Sequence, residues 1–308
     1  MKTRFDPRAG RLRGAALLAA GLMLTASAWA ASPPAAEAGA KEVTISGAGA
    51  THKLRYGQRL SLSGRAAAGG EVRLEHAPSG RGWRPVARTR SAAGGSYTFS
   101  VRARHSGAYR AVASSGASPT HRVIVVARLS GRASRNVNIG RAVRVRGALK
   151  PGVDGRAVRL QLRSGGRWKT VDRARTGRAG QFSASWRASR AGGYRLRVRF
   201  GGDARNAAVS RTLRGRVYVY RPAAASWYGP GFYGGRTACG YSLNASIKGV
   251  ANKSLPCGTR VRFRYRGRTT VAKVIDRGPF SGAREWDLTP ATKRALGFGD
   301  VGTVWSTR

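Results

Sequence analysis

The feature that most constrains the fold is an internal repeat in the first two thirds of the chain. Landmark residues return after 83 to 85 positions, which is the length of a whole domain and not of a solenoid unit. The pairs are Gly57 and Gly140, Trp83 and Trp168, Gly95 and Gly180, and Tyr109 and Tyr194. We therefore predict two tandem domains of one kind.

Within each copy, apolar and polar residues alternate, as in the run Val143, Arg144, Val145, and Gly and Ser clusters separate the runs. Short alternating strands with such turn signals predict β-sandwiches. The copies resemble bacterial immunoglobulin-like modules, in which a tryptophan strand precedes a Gly-x-aromatic and a Gly-x-Tyr strand. Because aromatic side chains are usually buried, Trp83 and Trp168 are predicted to lie in the core or between the sheets.

The first thirty residues predict a secretory signal peptide. Five basic residues precede an apolar segment, Ala15 to Leu24, and Ala28-Trp29-Ala30 is typical of a cleavage site. Residues 31–41 are rich in Ala and Pro and predict a flexible linker. We expect a secreted protein of the cell wall or extracellular space, without a transmembrane segment after cleavage.

The formal net charge is +46, and it is +42 without residues 1–30, which hold five basic residues and Asp6. Such a charge attracts polyanions, so anionic wall polymers are expected partners. Nucleic acid is not expected, because the arginines alternate along strands and the chain is exported. The alternative is that arginine only solvates the outward strand faces. We expect a monomer.

The chain has two cysteines, Cys239 and Cys257, and an even count within one segment of an exported protein predicts a disulfide. A metal site would need further Cys or His nearby, and all four histidines precede residue 122. We expect no metal and no cofactor.

The last 85 residues carry a series of motifs, and these resemble the rare lipoprotein A family in content and order. The motifs are Ser226 to Gly240, Asn252 to Val261, Val274 to Phe280, Trp286 to Ala291, and a helix ending at Leu296-Gly297. The resemblance implies a six-stranded double-psi β-barrel with one short helix.

The residues themselves predict compatible elements. Val261, Phe263 and Tyr265 alternate with arginines before a turn, which predicts a hairpin with one buried face. Thr289 can cap a helix that begins at Pro290, and Gly297 can end it in the left-handed conformation.

The resemblance also implies a reaction. Active members of the family are lytic transglycosylases, in which one carboxylic acid protonates the glycosidic oxygen of peptidoglycan and the muramic 6-hydroxyl closes a 1,6-anhydro ring. Asp276 occupies the position of the catalytic aspartate. The alternative for Asp276 is that it accepts backbone N–H groups in the turn that follows. Both roles are compatible.

Two positions depart from the active relatives, which commonly carry a glutamate where this chain has Tyr241 and a histidine where it has Asn252. Asp287 matches a family aspartate at a strand end and is expected to be a structural hydrogen-bond acceptor. Aromatic side chains can stack on sugar rings, whereas Trp227 and Trp286 are expected to fill the barrel. The expected substrate contacts are Tyr228, Phe232, Tyr233, Tyr241, Asn252 and Arg277.

The predicted fold is all-β: residues 42–127 and 128–221 form two immunoglobulin-like sandwiches, and residues 222–308 form the double-psi barrel. The predicted function is to act on, or bind, the glycan strands of peptidoglycan or another wall polysaccharide, with Asp276 as general acid/base if the barrel is active. The alternative is a non-catalytic, expansin-like binding module whose basic sandwiches adhere to the wall.

Overall fold

The computed structural model describes residues 42–308. The predicted signal peptide and linker lie outside this range. Among the described residues, no helix has the length and apolar character needed to cross a membrane.

Three apolar cores follow one another along the described chain. The first is built from residues between 43 and 125, the second from residues between 127 and 219, and the third from residues between 223 and 304. Strands supply most of these residues, so the all-β class is confirmed. The immunoglobulin-like assignment of the first two regions and the domain limits at 127/128 and 221/222 stay predictions.

The first region contains a large and a small sheet. The strands of this region are β1 (Thr51–Arg55), β2 (Arg59–Arg65), β3 (Glu71–Pro78), β4 (Arg84–Arg90), β5 (Ser96–Arg102), β6 (Gly107–Ala113), β7 (Gly116–Ala117) and β8 (His121–Val126). The large sheet has the order β1-β8-β6-β3-β4, with β7 paired to β6, and the small sheet consists of β2 paired with β5.

The second region repeats this strand-rich pattern. Its strands are β9 (Arg128–Ala133), β10 (Asn136–Asn138), β11 (Ala142–Lys150), β12 (Ala157–Ser164), β13 (Arg167–Arg175), β14 (Gln181–Arg187), β15 (Gly192–Tyr194), β16 (Leu196–Phe200) and β17 (Val209–Thr212). One sheet has the order β14-β11-β9 and the other β13-β12-β16-β17. Val143 and Val145 are buried and Arg144 is exposed, as the alternation predicts.

The two repeated tryptophans are not core residues. Trp83 and Trp168 are half-buried, lie outside the core clusters, and each is covered by a guanidinium, that of Arg110 at 4.3 Å and that of Arg197 at 4.5 Å from the ring centroid. The prediction of core or inter-sheet packing was wrong. Arginines of β6 and β16, each two strands away in the same sheet, provide cation–π partners that let a large ring lie on an outward face.

The third region is a closed barrel. Within residues 42–308, six strands join in the order β18-β22-β19-β21-β20-β23, and β23 pairs back to β18. The pairs β18–β22 and β19–β21 are parallel, whereas the other four are antiparallel. The strands are β18 (Val217–Trp227), β19 (Gly249–Ala251), β20 (Arg260–Tyr265), β21 (Arg268–Asp276), β22 (Trp286–Leu288) and β23 (Gly302–Ser306).

The predicted hairpin and helix are both confirmed. Strands β20 and β21 turn at Arg266 and Gly267, both with positive φ, and Val261 and Phe263 face the core. Helix α1 (Pro290–Leu296) is capped by the Thr289 side chain, which accepts from the Thr292 N–H, and it ends at Gly297 with φ 62°.

A single strand joins the second region to the barrel. The first part of β18 pairs with β15 and β10, and its second part pairs with β23 and β22. The Tyr220 hydroxyl also donates to Asn136 Oδ1 over 2.9 Å. Because one continuous strand belongs to both parts, their junction is held by backbone hydrogen bonds.

Candidate functional site

A cleft of ≈ 570 Å³ opens at the ends of β18, β19 and β21, and Asp287 of β22 also lines it. Two loops complete it, one after β18 and one after β21. It is lined by Tyr228, Gly231, Phe232, Tyr233, Gly235, Arg236, Thr237, Leu243, Ala251, Asp276, Arg277, Gly278, Pro279, Phe280, Ser281, Arg284 and Asp287.

Asp276 is the last residue of β21 and is half-buried in the wall of this cleft. Its Oδ1 accepts the backbone N–H of Ala238 over 2.9 Å and that of Arg277 over 2.8 Å. The turn-capping role is therefore present, and it fixes the carboxylate instead of removing it from the cleft.

The predicted disulfide lies next to one of these donors. Cys239 follows Ala238 in the chain and is bonded to Cys257, with 5.6 Å between the two Cα atoms. The bond thus restrains the loop whose N–H holds the Asp276 carboxylate.

Asp287 shares the cleft with Asp276. Both residues pair with Ala251 of β19, from the two strands that flank it. Adjacent strands lie about 4.8 Å apart, so the two backbones are separated by roughly 10 Å. The Ser226 hydroxyl donates to Asp287 Oδ1 over 2.9 Å, which agrees with the predicted acceptor role, but the side chain also faces the cleft.

The pKa of the Asp287 carboxyl is raised, and burial is the largest cause. The nearby negative charge of Asp276 raises it further, while the hydrogen bond from Ser226 and the charge of Arg284 oppose the shift. The cleft therefore holds two interacting carboxyl groups, one of which binds its proton more tightly than an exposed aspartate.

This shift makes the stability of the barrel pH-dependent. Because the folded pKa of Asp287 is raised above its ordinary value of 3.8, the stabilisation is present below that value and is lost as the pH rises through the folded pKa. An asparagine at 287 keeps an oxygen that accepts from Ser226 but cannot ionise. We expect Asp287→Asn to unfold at the same temperature as the wild type near pH 3 and at a higher temperature at pH 7. Thermal unfolding at both pH values checks this, and lower stability of the variant at pH 7 would contradict it.

Tyr228 lines the cleft together with the two carboxyl groups. Burial raises the pKa of its hydroxyl, and the charges of Asp276 and Asp287 raise it further. The phenol therefore stays protonated near neutral pH, and its buried hydroxyl has no hydrogen-bond partner among the described residues. The sequence predicted only a stacking role for this ring.

The rim of the cleft is aromatic. Phe232 is 65% exposed, Tyr233 39% and Phe280 82%. Phe232 and Tyr233 were predicted as substrate contacts, whereas Phe280 was not. The available signal was an apolar side chain directly after the Gly278-Pro279 turn, in an otherwise polar loop. Such faces are available to stack on a planar or cyclic ligand.

The other predicted contacts take different positions. The Arg277 guanidinium lines the cleft but donates back to the backbone oxygen of Leu255 over 3.0 Å. Asn252 is 4% exposed, and its Oδ1 accepts the N–H groups of Ser254 and Leu255. Neither Asn252 nor Tyr241 is among the cleft-lining residues. The backbone N–H of Asn252 donates to the backbone oxygen of Asp276 over 3.1 Å, so Asn252 contacts the main chain of Asp276 and its side chain stays outside the cleft lining.

Two arginines of the cleft were not predicted, Arg236 and Arg284. In the sequence they are indistinguishable from the many other arginines, and only the closure of the barrel places them here. Within the described residues, no group of three His, Cys, Asp or Glu side chains is arranged to hold a metal ion.

The comparisons with known proteins concern this part of the chain. Residues 222–305 match the family model described as lytic transglycolase. A probable endolytic peptidoglycan transglycosylase RlpA of Synechocystis is 39% identical over 120 residues, covering 35% of this chain and 37% of that protein. The endolytic peptidoglycan transglycosylase RlpA of Neisseria meningitidis is 38% identical over 82 residues, covering 26% and 34%. That of Pseudomonas aeruginosa is 38% identical over 103 residues, covering 30% of each chain.

The chain thus spans about a third of the length of the curated relatives it matches. A solved structure of a tetra-tandem repeat in the extending region of a large adhesion protein covers 85% of the chain at 13% identity, and its TM-score of 0.33 supports no conclusion about the fold. The matched motifs, the closed six-stranded barrel and the single helix agree with one another over the same residues. Residues 222–305 therefore form an RlpA-like double-psi β-barrel domain, the domain of the lytic transglycolase family.

Proposed function

We propose that the barrel domain cleaves the glycan strands of peptidoglycan as a lytic transglycosylase, with Asp276 as the general acid/base. The observation that carries the proposal is a cleft in which the Asp276 carboxylate is fixed by two backbone N–H groups beside a second carboxyl group, Asp287, whose pKa is raised by burial. The names of the matched relatives, which are peptidoglycan transglycosylases, support the choice of substrate.

The proposed reaction needs one proton carrier and no water. Asp276 donates a proton to the glycosidic oxygen as the bond from that oxygen to C1 of the muramic sugar breaks. The 6-hydroxyl of the same sugar attacks C1, and its proton returns to Asp276 as the 1,6-anhydro ring closes. The acid is regenerated, and the products are one glycan end with a free hydroxyl and one anhydro end.

Asp287 and Tyr228 assist by keeping protons available in the cleft. The raised pKa of Asp287 keeps its proton bound to a higher pH than that of an exposed aspartate. The protonated Tyr228 hydroxyl is buried near both carboxyl groups without a hydrogen-bond partner among the described residues, so it is a donor that a bound substrate can use. Burial of both groups strengthens these interactions.

The substrate is held by the rim. Phe232, Tyr233 and Phe280 present exposed rings to the sugars, and Arg236 and Arg284 offer donors to their oxygen atoms and to the carboxylates of the peptide stems. We further propose that the protein acts outside the cytoplasm, where its charge of +42 without residues 1–30 holds it on anionic wall polymers.

A second candidate is a non-catalytic module that binds wall glycan. It is favoured by the large exposed faces of Phe232 and Phe280 and by Tyr241 and Asn252 standing where active relatives commonly have acid–base residues. Against it, neither Tyr241 nor Asn252 lines the cleft, so their identity leaves the carboxyl pair intact.

The product decides between the candidates. Purified sacculi are incubated with the whole secreted protein in water enriched in heavy oxygen, and the released muropeptides are identified by mass. A transglycosylase yields anhydro ends that are one water lighter than reducing ends and carry no heavy oxygen, whereas a hydrolase yields reducing ends that carry one. If the protein sediments with the sacculi and releases nothing, the enzymatic proposal fails and the binding module remains.

A further inference from the structure

A second and larger cleft lies at the junction between the second region and the barrel. Its volume is ≈ 830 Å³, against ≈ 570 Å³ for the cleft at Asp276. We call it the junction cleft, and it is lined by Ala191, Gly192, Gly193, Tyr194, Arg216, Tyr218, Arg260, Arg262, Val271, Thr307 and Arg308. Both walls belong to the same compact unit of the chain.

The junction cleft is strongly basic. Arg216 stands on the side of the second region, and Arg260 and Arg262 stand on β20 of the barrel. No side chain lining the cleft is acidic, and none of the five ion pairs found among residues 42–308 involves these arginines. Like charges collected without counterions repel one another, so an anion that enters the cleft is favoured.

The position of the Arg262 side chain is fixed by an aromatic ring, that of Tyr218. Its guanidinium lies 4.3 Å from the centroid of the Tyr218 ring. Its Nε is buried and has no hydrogen-bond partner within the described chain. The burial of Nε restrains the side chain, and the guanidinium of this residue lines the cleft. Arginine forks bind carboxylate and phosphate groups with two parallel hydrogen bonds.

The cleft is also preorganised. Gly193 pairs with Tyr218 across strands β15 and β18, and a Cβ added at Gly193 would lie 3.1 Å from Cε1 of Tyr218. Glycine therefore leaves the Tyr218 ring room to lie beside Arg262. Arg216 donates to the Gly193 oxygen over 2.9 Å, which holds this arginine at the mouth. Little ordering remains to be done when a ligand binds.

We propose that the junction cleft binds an anionic glycan, a sugar polymer that carries carboxylate or phosphate groups. The arginines bind the anionic groups, and Tyr194 and Tyr218 offer ring faces to the sugars. The choice of a glycan rests on the proposed function, because that substrate is a glycan of the same wall.

The two clefts lie on one strand. Val271 of the junction cleft and Asp276 of the first cleft are both in β21, and five residues at about 3.3 Å each separate them by roughly 16 Å. The junction cleft thus provides a second glycan-binding surface near the proposed reaction site, separate from the surface of the first cleft.

Binding is tested with a probe that the proposed reaction does not cleave. Hexameric oligogalacturonate carries a carboxylate on every sugar, and its methyl ester has the same rings without the charge. Calorimetric titration of the whole protein should show binding of the acid and at least tenfold weaker binding of the ester. Since both arginines are exposed, Arg216→Gln with Arg260→Gln should leave the fold intact and raise the Kd of the acid at least tenfold.

A matched control removes the same charge elsewhere. Arg90→Gln with Arg102→Gln changes two exposed arginines of the first region, and the Kd should stay within twofold. A parallel titration with a phosphorylated oligosaccharide shows which anionic group the cleft prefers. Tyr218→Ala should weaken the binding of both the carboxylated and the phosphorylated ligand. The proposal is overturned if the cleft variant and the control variant lose affinity for the acid equally. It is also overturned if linear polyphosphate binds as tightly as the oligosaccharides and its Kd does not change in Tyr218→Ala. Tighter binding of a single-stranded oligonucleotide than of the oligosaccharides would overturn it as well. Because no turnover is involved, these results are independent of whether sacculi are cleaved.

Discussion

Replacing Asp276 by asparagine should reduce the release of anhydromuropeptides from sacculi by a factor of about 100 to 10,000, the usual contribution of a general acid or base. The asparagine oxygen can still accept the N–H groups of Ala238 and Arg277, so the turn should keep its shape. The amide, however, has no proton that it can donate to a glycosidic oxygen. The initial rate of release, measured by mass spectrometry at equal protein concentration, checks this expectation.

Asp300→Asn is the matched control. Asp300 is in the same region, its side chain is 80% exposed, and it pairs with Lys293 outside the cleft. The substitution removes the same charge, and the rate should stay within twofold of the wild type. Equal rates for the wild type and Asp276→Asn would show that another group carries the proton. In that event Asp287→Asn would be the next variant to measure.

Trp286→Ala should destabilise the barrel by about 3 to 5 kcal/mol, the range for removing a large buried aromatic side chain. The Trp286 side chain is 0% exposed and meets the Phe263 ring edge-on at a centroid distance of 5.0 Å. A domain is stable by only about 5 to 15 kcal/mol, so the loss is a large share of the total. Its cavity would lie in the third core alone.

Because a chain with several cores need not unfold in one step, the measurement must resolve the regions. Hydrogen exchange followed by mass spectrometry over a urea series does so, with peptides from β19 to β21 reporting on the barrel and peptides from β11 and β12 on the second region. Only the barrel peptides should lose protection. Phe280→Ala is the control, since its ring is 82% exposed and its loss should cost little. Barrel peptides that exchange at the wild-type rate in Trp286→Ala would contradict the packing described here.

Local patterns predicted one hairpin and the helix of the barrel, and a family resemblance pointed to one candidate residue. The alternation of Val261 and Phe263 with arginines specified which face of β20 is buried, because side chains alternate along any strand. Thr289, Pro290 and Gly297 specified both ends of α1 for equally local reasons. Asp276 was identified by its place in a motif that resembles a known family, and its assigned role is still a proposal.

Residue type alone did not always predict whether a side chain faces the core or the solvent. Trp83 and Trp168 were expected in the cores or between the sheets, yet arginines two strands away in the same sheets let them lie outside the cores. Asn252 and Tyr241 were expected to contact the substrate, yet neither lines the cleft. Asn252 instead holds a loop through its own hydrogen bonds to Ser254 and Leu255.

By itself, then, the sequence determined the β20–β21 hairpin, the helix and the disulfide, since each depends on residues that are near in the chain or on a pair that has no other partner. The resemblance to a known family supplied the barrel as a whole and the choice of Asp276. Only the tertiary structure decided that Asp276 and Asp287 flank Ala251, that Arg284 and Phe280 join them, and that a basic cleft forms beside β18. These arrangements depend on the register of strands that are distant in sequence, including an irregularity between Val250 and Ala251. A shift of one residue would turn either carboxylate to the opposite face of its strand.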